Sequence, residues 1–238
     1  MTSFPHHRIS ESGNILIYVL GAIVLLGILI AVVRGASAPG SNIQEEELII
    51  RTSEIQEYGH ELDRAIAFIL RNGLGHTETD IRFAHPDADP NYGDITDDPT
   101  RQMFSPQGGG SIYRIPPEDI QSTPTNWVFT ARNQVFDVGT TDEAGGGNEY
   151  VELVAILPNV IREFCIVMNA RNNITNPLGE PPQDDGNVSF DEFLGSYDYS
   201  EDIHDGSGFL AGELEGCFEG GGSPPPGTYH YYRVLIPR

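Results

Sequence analysis

The pattern of hydrophobic and polar positions divides the chain into an apolar stretch, an amphipathic stretch and a mixed remainder. No charged residue occurs among the twenty residues from Asn14 to Val33, and nearly all of them are apolar. As a helix, such a stretch extends about 30 Å, which matches the hydrocarbon thickness of a bilayer. The apolar region of a secretory signal is shorter, about 7–15 residues. The pattern therefore predicts a retained transmembrane helix.

A second feature bears on retention of this helix. Ala36-Ser37-Ala38 has the small-residue pattern of a signal-peptidase site, but Pro39 would follow the cut. Because proline lacks an N–H group and has a fixed φ angle, it fits poorly in a protease cleft. We therefore expect no cleavage there and interpret residues 34–42, which include Pro39 and Gly40, as a short linker.

Residues 43–73 have the apolar period of an amphipathic helix. Ser41 and Asn42 are each followed three residues later by Gln or Glu, which is the spacing of a capping box and predicts the start of the helix. Gly73 predicts its end. One apolar stripe follows the helix, and we expect it to pack on a globular head. The residues of the stripe are Ile55, Tyr58, Leu62, Ile66 and Ile69.

Short apolar runs separated by Gly-rich and Pro-rich loops follow, and they predict an α+β head with an antiparallel sheet. The run from Tyr229 to Ile236 is apolar or aromatic on both faces, so we place it in the interior of the sheet. The predicted strands are residues 111–115, a hairpin within 126–138, residues 150–157 and two closing strands within 213–238.

One helix and two loops complete the predicted head. Pro158 is expected to begin a helix, because proline is favourable in a first turn. Gly75–Gly110 is rich in Asp, Pro and Gly and predicts a surface loop, and Asn172–Gly195 predicts a second polar loop. The side chains expected on one face of the helix are Val160, Phe164, Cys165 and Met168.

The charge of the chain restricts its partners. Thirteen basic residues, all of them Arg, stand against 35 acidic residues, and the net charge is −22. Such a surface repels nucleic acid phosphates and anionic lipid headgroups, so we exclude nucleic acid binding. Divalent cations and basic partners remain compatible with it.

The chain contains two cysteines, Cys165 and Cys217. A pair in an exported chain predicts one disulfide in an oxidising compartment, which places the large C-terminal part outside the cytoplasm. The bond would close a loop of roughly fifty residues and contribute about 3–4 kcal/mol. Two separate buried thiols are the alternative.

A calcium site is the one cofactor site for which the sequence has a pattern. Asp87, Asp89 and Asn91 have the spacing of positions 1, 3 and 5 of an EF-hand loop, and Asp94 follows. Gly93 stands one position late, however, and no entering helix is predicted. We therefore expect either a weak calcium site or a solvated acidic loop.

The remaining motifs indicate no further functional site. The stretch from Asp185 to Glu192 matches the second half of an EF-hand, but the acidic residues that should begin the loop are absent, so we interpret it as a chance match. The chain has no GxSxG, no HExxH and no phosphate-binding loop with Lys. We therefore predict that it is not an enzyme.

The N-terminus carries a resemblance to a known family. Glu11-Ser12-Gly13 precedes an apolar helix that begins Asn14-Ile15-Leu16-Ile17-Tyr18. This arrangement resembles the N-terminus of type IV pilins and of the pseudopilins of type II secretion, over residues 1–73. The resemblance implies cleavage after Gly13, a membrane anchor that later forms a filament core, and other pilin-like subunits as partners. The implied organisation is a leader 1–13, a transmembrane helix 14–33, a linker 34–42, an amphipathic helix 43–73 and a head 74–238.

The chain departs from that family at two positions. Asn14 stands where the first mature residue is usually Phe, and Tyr18 stands where the fifth is usually Glu. Some minor pseudopilins at the pseudopilus tip also lack this Glu, so the resemblance implies a minor subunit. The alternative is a plain single-span anchor that presents a binding module, with or without calcium.

The resemblance also implies a location. The chain would cross the inner membrane once, with its N-terminus cytoplasmic and its head periplasmic or extracellular. Trp127, Gly216-Cys217-Phe218 and Tyr231–Leu235 further resemble the head of a group of uncharacterised bacterial membrane proteins. That second resemblance implies a location and no activity.

Overall fold

The computed structural model describes residues 18–25, 39–139 and 150–238. The chain divides into two compact units, Met1–Glu47 and Leu48–Arg238. In the first unit, residues 18–25 are helical (α1) and their apolar side chains are exposed. No helix within the described ranges is both long enough and apolar enough to span a bilayer. Much of the predicted span, together with Gly13 and Asn14, lies outside those ranges.

The second helix, α2, comprises 33 residues, Pro39–Arg71. It begins earlier than predicted, so Ser41 and Asn42 lie within the helix rather than at its cap, and the predicted linker is helical from Pro39. Proline is compatible with this position because the N–H groups of a first turn have no intrahelical acceptor. The helix ends where expected, and Gly73 follows with a φ angle of +81°.

The apolar stripe of α2 is buried, as its spacing predicts. All five of its members belong to the larger apolar cluster of the head, and Ala65 joins them. Tyr58 packs against Trp127, with their ring centroids 5.4 Å apart. The part of α2 that belongs to the second unit is therefore an integral part of the head.

A four-stranded antiparallel sheet forms the centre of the head, in the order β1-β3-β6-β5, and a parallel pair, β2-β4, lies apart from it. The predicted α+β class is thus confirmed for the head, and β6 has the predicted interior position. The strands are β1 (Val128–Thr130), β2 (Asn133–Val135), β3 (Leu153–Val160), β4 (Glu201–Ile203), β5 (Glu215–Glu219) and β6 (Tyr229–Ile236).

The sheet is covered on both faces. Alternate side chains of β3 point in opposite directions: Leu153, Ala155 and Leu157 belong to the cluster of α2, whereas Val154 and Ile156 belong to a second cluster. Helix α3 (Arg162–Arg171) adds to the first cluster, and β2 and β4 add to the second. The sheet is therefore the middle of three layers.

The predicted hairpin within residues 126–138 is wrong. β1 pairs with β3 in the main sheet, whereas β2 pairs with β4. The two strands serve different clusters, since Phe129 is buried in the first cluster and Val135 in the second. Separate burial, rather than proximity in sequence, decides their pairing.

The predicted helix start at Pro158 is also wrong. β3 continues through Pro158 to Val160, and α3 begins only at Arg162. The strand tolerates the proline at an irregularity, where the register shifts between Leu157 and Val160 and Asn159 has a φ angle of +56°. Val160 is buried, but it belongs to a strand and not to the predicted helix.

Residues 111–115 form no strand. Their polar groups are bonded to α2 instead, because both Ser111 Oγ and the backbone N–H of Ile112 donate to Glu61 Oε1, each at 3.0 Å. Arg114 Nη2 donates to Glu61 Oε2 at 2.6 Å. One carboxylate thus replaces a strand partner.

The segment Gly75–Gly110, predicted to be a surface loop, supplies part of the core. It has no long helix or strand, yet Phe83 stacks on Phe129 with ring centroids 4.2 Å apart. Isolated aromatic residues bury much area without any periodic pattern, which explains why the sequence gives no signal for them. Its buried apolar residues are Ile81, Phe83, Ala84, Ala88, Tyr92, Met103 and Phe104.

Candidate functional site

Arg233 joins the sheet to α2. It lies on β6 with only 8% of its surface exposed, and its guanidinium binds carboxylates on two elements. Nη2 lies 2.5 Å from Asp63 Oδ2 of α2, and Nη1 lies 3.0 Å from Glu215 Oε2 of β5. Tyr231 Oη donates to the other oxygen of Glu215 at 2.7 Å. A buried cation is tolerated here because two carboxylates and several hydrogen bonds compensate its charge.

The absence of a side chain at Gly59 makes room for this contact. A Cβ atom at Gly59 would lie 2.4 Å from Arg233 Cδ, so only glycine lets the arginine stem lie against the helix backbone. Burial lowers the pKa of Arg233, but the hydrogen bond that it donates to Asp63 and the charges around it outweigh burial and leave the pKa raised. The guanidinium therefore stays charged and holds α2 on the sheet.

A groove of about 450 Å³ lies at the end of the sheet where β1 and β6 begin and β3 ends. Its volume is within the range of small ligand sites. Aromatic side chains and prolines form much of its wall, and two carboxylates lie at its border. The residues that line it are Asp89, Tyr92, Thr125, Asn126, Trp127, Val128, Pro158, Asn159, Phe190, Glu192, Pro224, Pro225, Thr228 and His230. We call it the acidic aromatic groove.

His230 is part of the wall and is buried. Its Nδ1 accepts a hydrogen bond from the backbone N–H of Asn159 at 3.4 Å, and its Nε2 lies 3.0 Å from Thr228 Oγ1. This pattern requires the neutral ring with its proton on Nε2. Burial lowers the pKa of His230 to about 4. The groove therefore contains no cationic histidine near neutral pH.

The acids of the groove come from two distant segments. Asn91 Nδ2 donates to Glu192 Oε1 at 3.0 Å, and Asp89 Oδ1 accepts from the backbone N–H of Asn91 at 2.9 Å. Burial raises the pKa of Tyr92, and the charges of Glu192 and Asp89 raise it further. The structure thus brings the predicted calcium loop together with the end of the second EF-hand-like stretch.

At Phe129 the outer backbone groups of edge strand β1 are already hydrogen-bonded, so a further strand cannot pair with β1 there. The Tyr92 hydroxyl accepts from the backbone N–H of Phe129 at 2.7 Å and lies 3.1 Å from its carbonyl oxygen. The backbone N–H of Phe193 donates to the same carbonyl at 2.7 Å. A partner in the groove would therefore contact side chains rather than extend the sheet.

The four predicted calcium ligands do not converge on one point. Asp89 caps a short 3-10 helix, and Asp94 accepts from the N–H and hydroxyl groups of Thr96, each at 2.8 Å. Asp87 lies beside His85, 3.7 Å from Nδ1. Within the described ranges, no group of three or more acidic, His or Cys side chains could hold a metal. Calcium binding by Asp87, Asp89, Asn91 and Asp94 stays a prediction.

Cys165 of α3 and Cys217 of β5 meet in the first cluster. Both are free thiols, and their side chains are hydrogen-bonded to each other. Burial raises the pKa of each thiol. The two thiols therefore lie close together, and the disulfide itself stays a prediction.

A second acidic cluster lies beside β4, where the second EF-hand-like stretch begins. Asp184 is buried, and its carboxylate accepts from the backbone N–H groups of His204 and Gly186. Burial raises the pKa of Asp184 to about 6. Asp185 Oδ2 lies 3.1 Å from His204 Nδ1. These bonds fix the loops beside β4, so the cluster has a structural explanation.

Comparison with known proteins assigns the chain to no family. No protein-family model matches the chain, and neither the curated proteins nor the solved structures include a significant match. Function is therefore inferred from the residues of the chain itself.

Proposed function

We propose that this chain is a membrane-anchored, pilin-like structural subunit of the minor type, with its acidic head outside the cytoplasm. The supporting observation is the burial of the α2 stripe, from Ile55 to Ile69, in the core of a head with a four-stranded antiparallel sheet. A long N-terminal helix that packs lengthwise on such a head is what the resemblance over residues 1–73 implies.

The contacts of α2 would allow the helix to transmit force to the head. The Arg233–Asp63 ion pair and the bonds of Glu61 attach the middle of the helix to the head, and the stripe packs in the core on either side of them. Force on the helix would reach the head through buried contacts rather than through a flexible joint. The stripe of α2 packs against the head of the same chain and is not available to other subunits. The apolar residues 14–33 would therefore serve for membrane insertion and subunit contacts.

Tyr18 is the residue that favours a minor rather than a major subunit. In place of Glu it removes a charge that would be buried in a bilayer or in a helix bundle, so insertion costs less. It also removes a pairing that would specify the register with neighbouring helices. A subunit incorporated once or a few times tolerates this loss better than one incorporated thousands of times.

Processing after Gly13 is the decisive test. The chain should be expressed with and without a prepilin peptidase and extracted from membranes. Because the sequence has no lysine, the α-amino group is its only primary amine, so an amine-specific label followed by mass spectrometry identifies the N-terminus. We expect a start at Asn14 that depends on the peptidase, and we expect Gly13→Val to abolish it while Gly21→Ala does not.

The other outcomes are equally informative. An intact N-terminus in the presence of active peptidase would favour the second candidate, a plain anchored binding module, for which the acidic aromatic groove is the supporting observation. A start at Pro39 would refute a retained anchor and both proposals with it.

A further inference from the structure

The acidic aromatic groove has a charge that selects its occupant. Asp89 and Glu192 are its two ionisable acids, and among the described residues that line it none is Arg or Lys. The negative charge of the groove therefore has no cation of its own to balance it.

The walls of the groove suit a flat cation. Phe190 supplies a partly exposed aromatic ring, the buried rings of Trp127 and His230 lie in the wall beneath, and Pro224 and Pro225 add rigid apolar surface. A guanidinium is planar, stacks on aromatic faces and donates in a fork that fits carboxylates. An ammonium has the same charge and lacks the fork, so it would bind less tightly.

We propose that the groove docks a peptide segment of a partner protein through one arginine side chain, with its guanidinium at Asp89 and Glu192. Recognition uses side chains because Tyr92 and Phe193 already bind the backbone of Phe129 at the sheet edge. The chain's strong negative charge attracts basic partners at long range, and the groove selects among them at short range. This inference stands whether or not the leader is cleaved after Gly13.

The test uses the full chain in detergent and a short peptide, acetyl-Ala-Pro-Arg-Pro-Ala-amide. Trp127 is the only tryptophan of the chain and lines the groove, so its fluorescence reports binding without a label. The matched probe replaces arginine by citrulline, which keeps the shape and removes the charge. We expect saturable binding of the arginine peptide, and about tenfold weaker binding of the citrulline peptide.

Two variants locate the site. Glu192→Gln should weaken the arginine peptide about tenfold and leave the citrulline peptide nearly unchanged. Asp97→Asn removes the same charge from an exposed position outside the groove and should change neither affinity. Equal affinity for both peptides, equal loss in both variants, or no saturable signal at millimolar peptide would each overturn the proposal. Because the citrulline comparison uses the unaltered chain, it does not depend on the folding of any variant.

Discussion

Arg233 and Gly59 show how a single pair of residues attaches α2 to the sheet. The guanidinium is buried between Asp63 and Glu215, and its stem occupies the space that a side chain at Gly59 would fill. The two requirements are linked, because the ion pairs form only if the helix backbone comes close. A glycine in a helix interior is unfavourable by about 1 kcal/mol relative to alanine, so its presence here needs such a reason.

Gly59→Ala should therefore destabilise the head by about 2 kcal/mol, since the new methyl group displaces Arg233 from its carboxylates. In an Arg233→Ala background no side chain at position 233 reaches the helix backbone, so the clash is absent, and there Gly59→Ala should be neutral or stabilising by up to about 1 kcal/mol. Urea unfolding of the four chains measures both effects. The same cost of Gly59→Ala in both backgrounds would show that the close approach is not its cause.

His230 gives the head a dependence on pH. Its pKa is lowered to about 4 in the folded chain by burial, against 6.5 in the unfolded chain. As the pH falls below 6.5, the unfolded chain binds a proton that the folded chain does not, so stability is lost down to about pH 4. The expected loss is about 3 kcal/mol relative to His230→Gln.

Urea unfolding of both chains between pH 7 and pH 4 measures this difference. Asp184 acts in the opposite direction, because its raised pKa of about 6 makes stability fall as the pH rises from about 4 to 6. Subtracting the two profiles removes that contribution. Parallel profiles would mean that His230 titrates as it does in the unfolded chain.

At the scale of elements, α3 and β5 are held together at one buried point. Asn169 of α3 accepts from the backbone N–H of Cys217 at 2.8 Å and donates to its carbonyl at 3.0 Å. The thiols of Cys165 and Cys217 meet beside these bonds. Because burial raises the pKa of both thiols, little thiolate is present in the folded head to start an exchange reaction.

We therefore expect the disulfide to form during folding and not afterwards. Refolding with oxidised glutathione should join Cys165 to Cys217 with release of two molecules of reduced glutathione, whereas the same reagent added to the folded, reduced head should react very slowly. Alkylation in denaturant followed by mass spectrometry counts the free thiols. Two free thiols after oxidative refolding would contradict the prediction, and a Cys165→Ala chain controls for glutathione adducts.

At the scale of the whole molecule, the head is a three-layer structure whose central sheet is buried on both faces. That arrangement explains why β3 and β6 carry apolar residues on both faces, since the described residues cover the main sheet on each side. The net charge of the chain is −22, and repulsion between such charges keeps heads apart and soluble. Close association of two heads is therefore disfavoured, and under the proposed function the apolar N-terminal segment is the region of contact.

The sequence by itself determined the helices and strands in which buried residues recur in a regular pattern. The stripe of α2 follows a helical period, and β3 and β6 consist mostly of apolar residues, so their existence and the interior position of β6 were predictable. The even count of cysteines predicts a disulfide between Cys165 and Cys217; their proximity is compatible with it, and the bond stays a prediction.

Only the tertiary structure decided which elements pair and which side chains meet. β1 and β2 are neighbours in sequence yet enter different sheets, and β3 continues through Pro158 where local propensity predicts a helix. The acidic aromatic groove joins residues about a hundred positions apart, with Asn91 bonded to Glu192. The physical reason is that periodicity reports whether an element is buried, whereas its partner is set by long-range contacts that leave no local pattern.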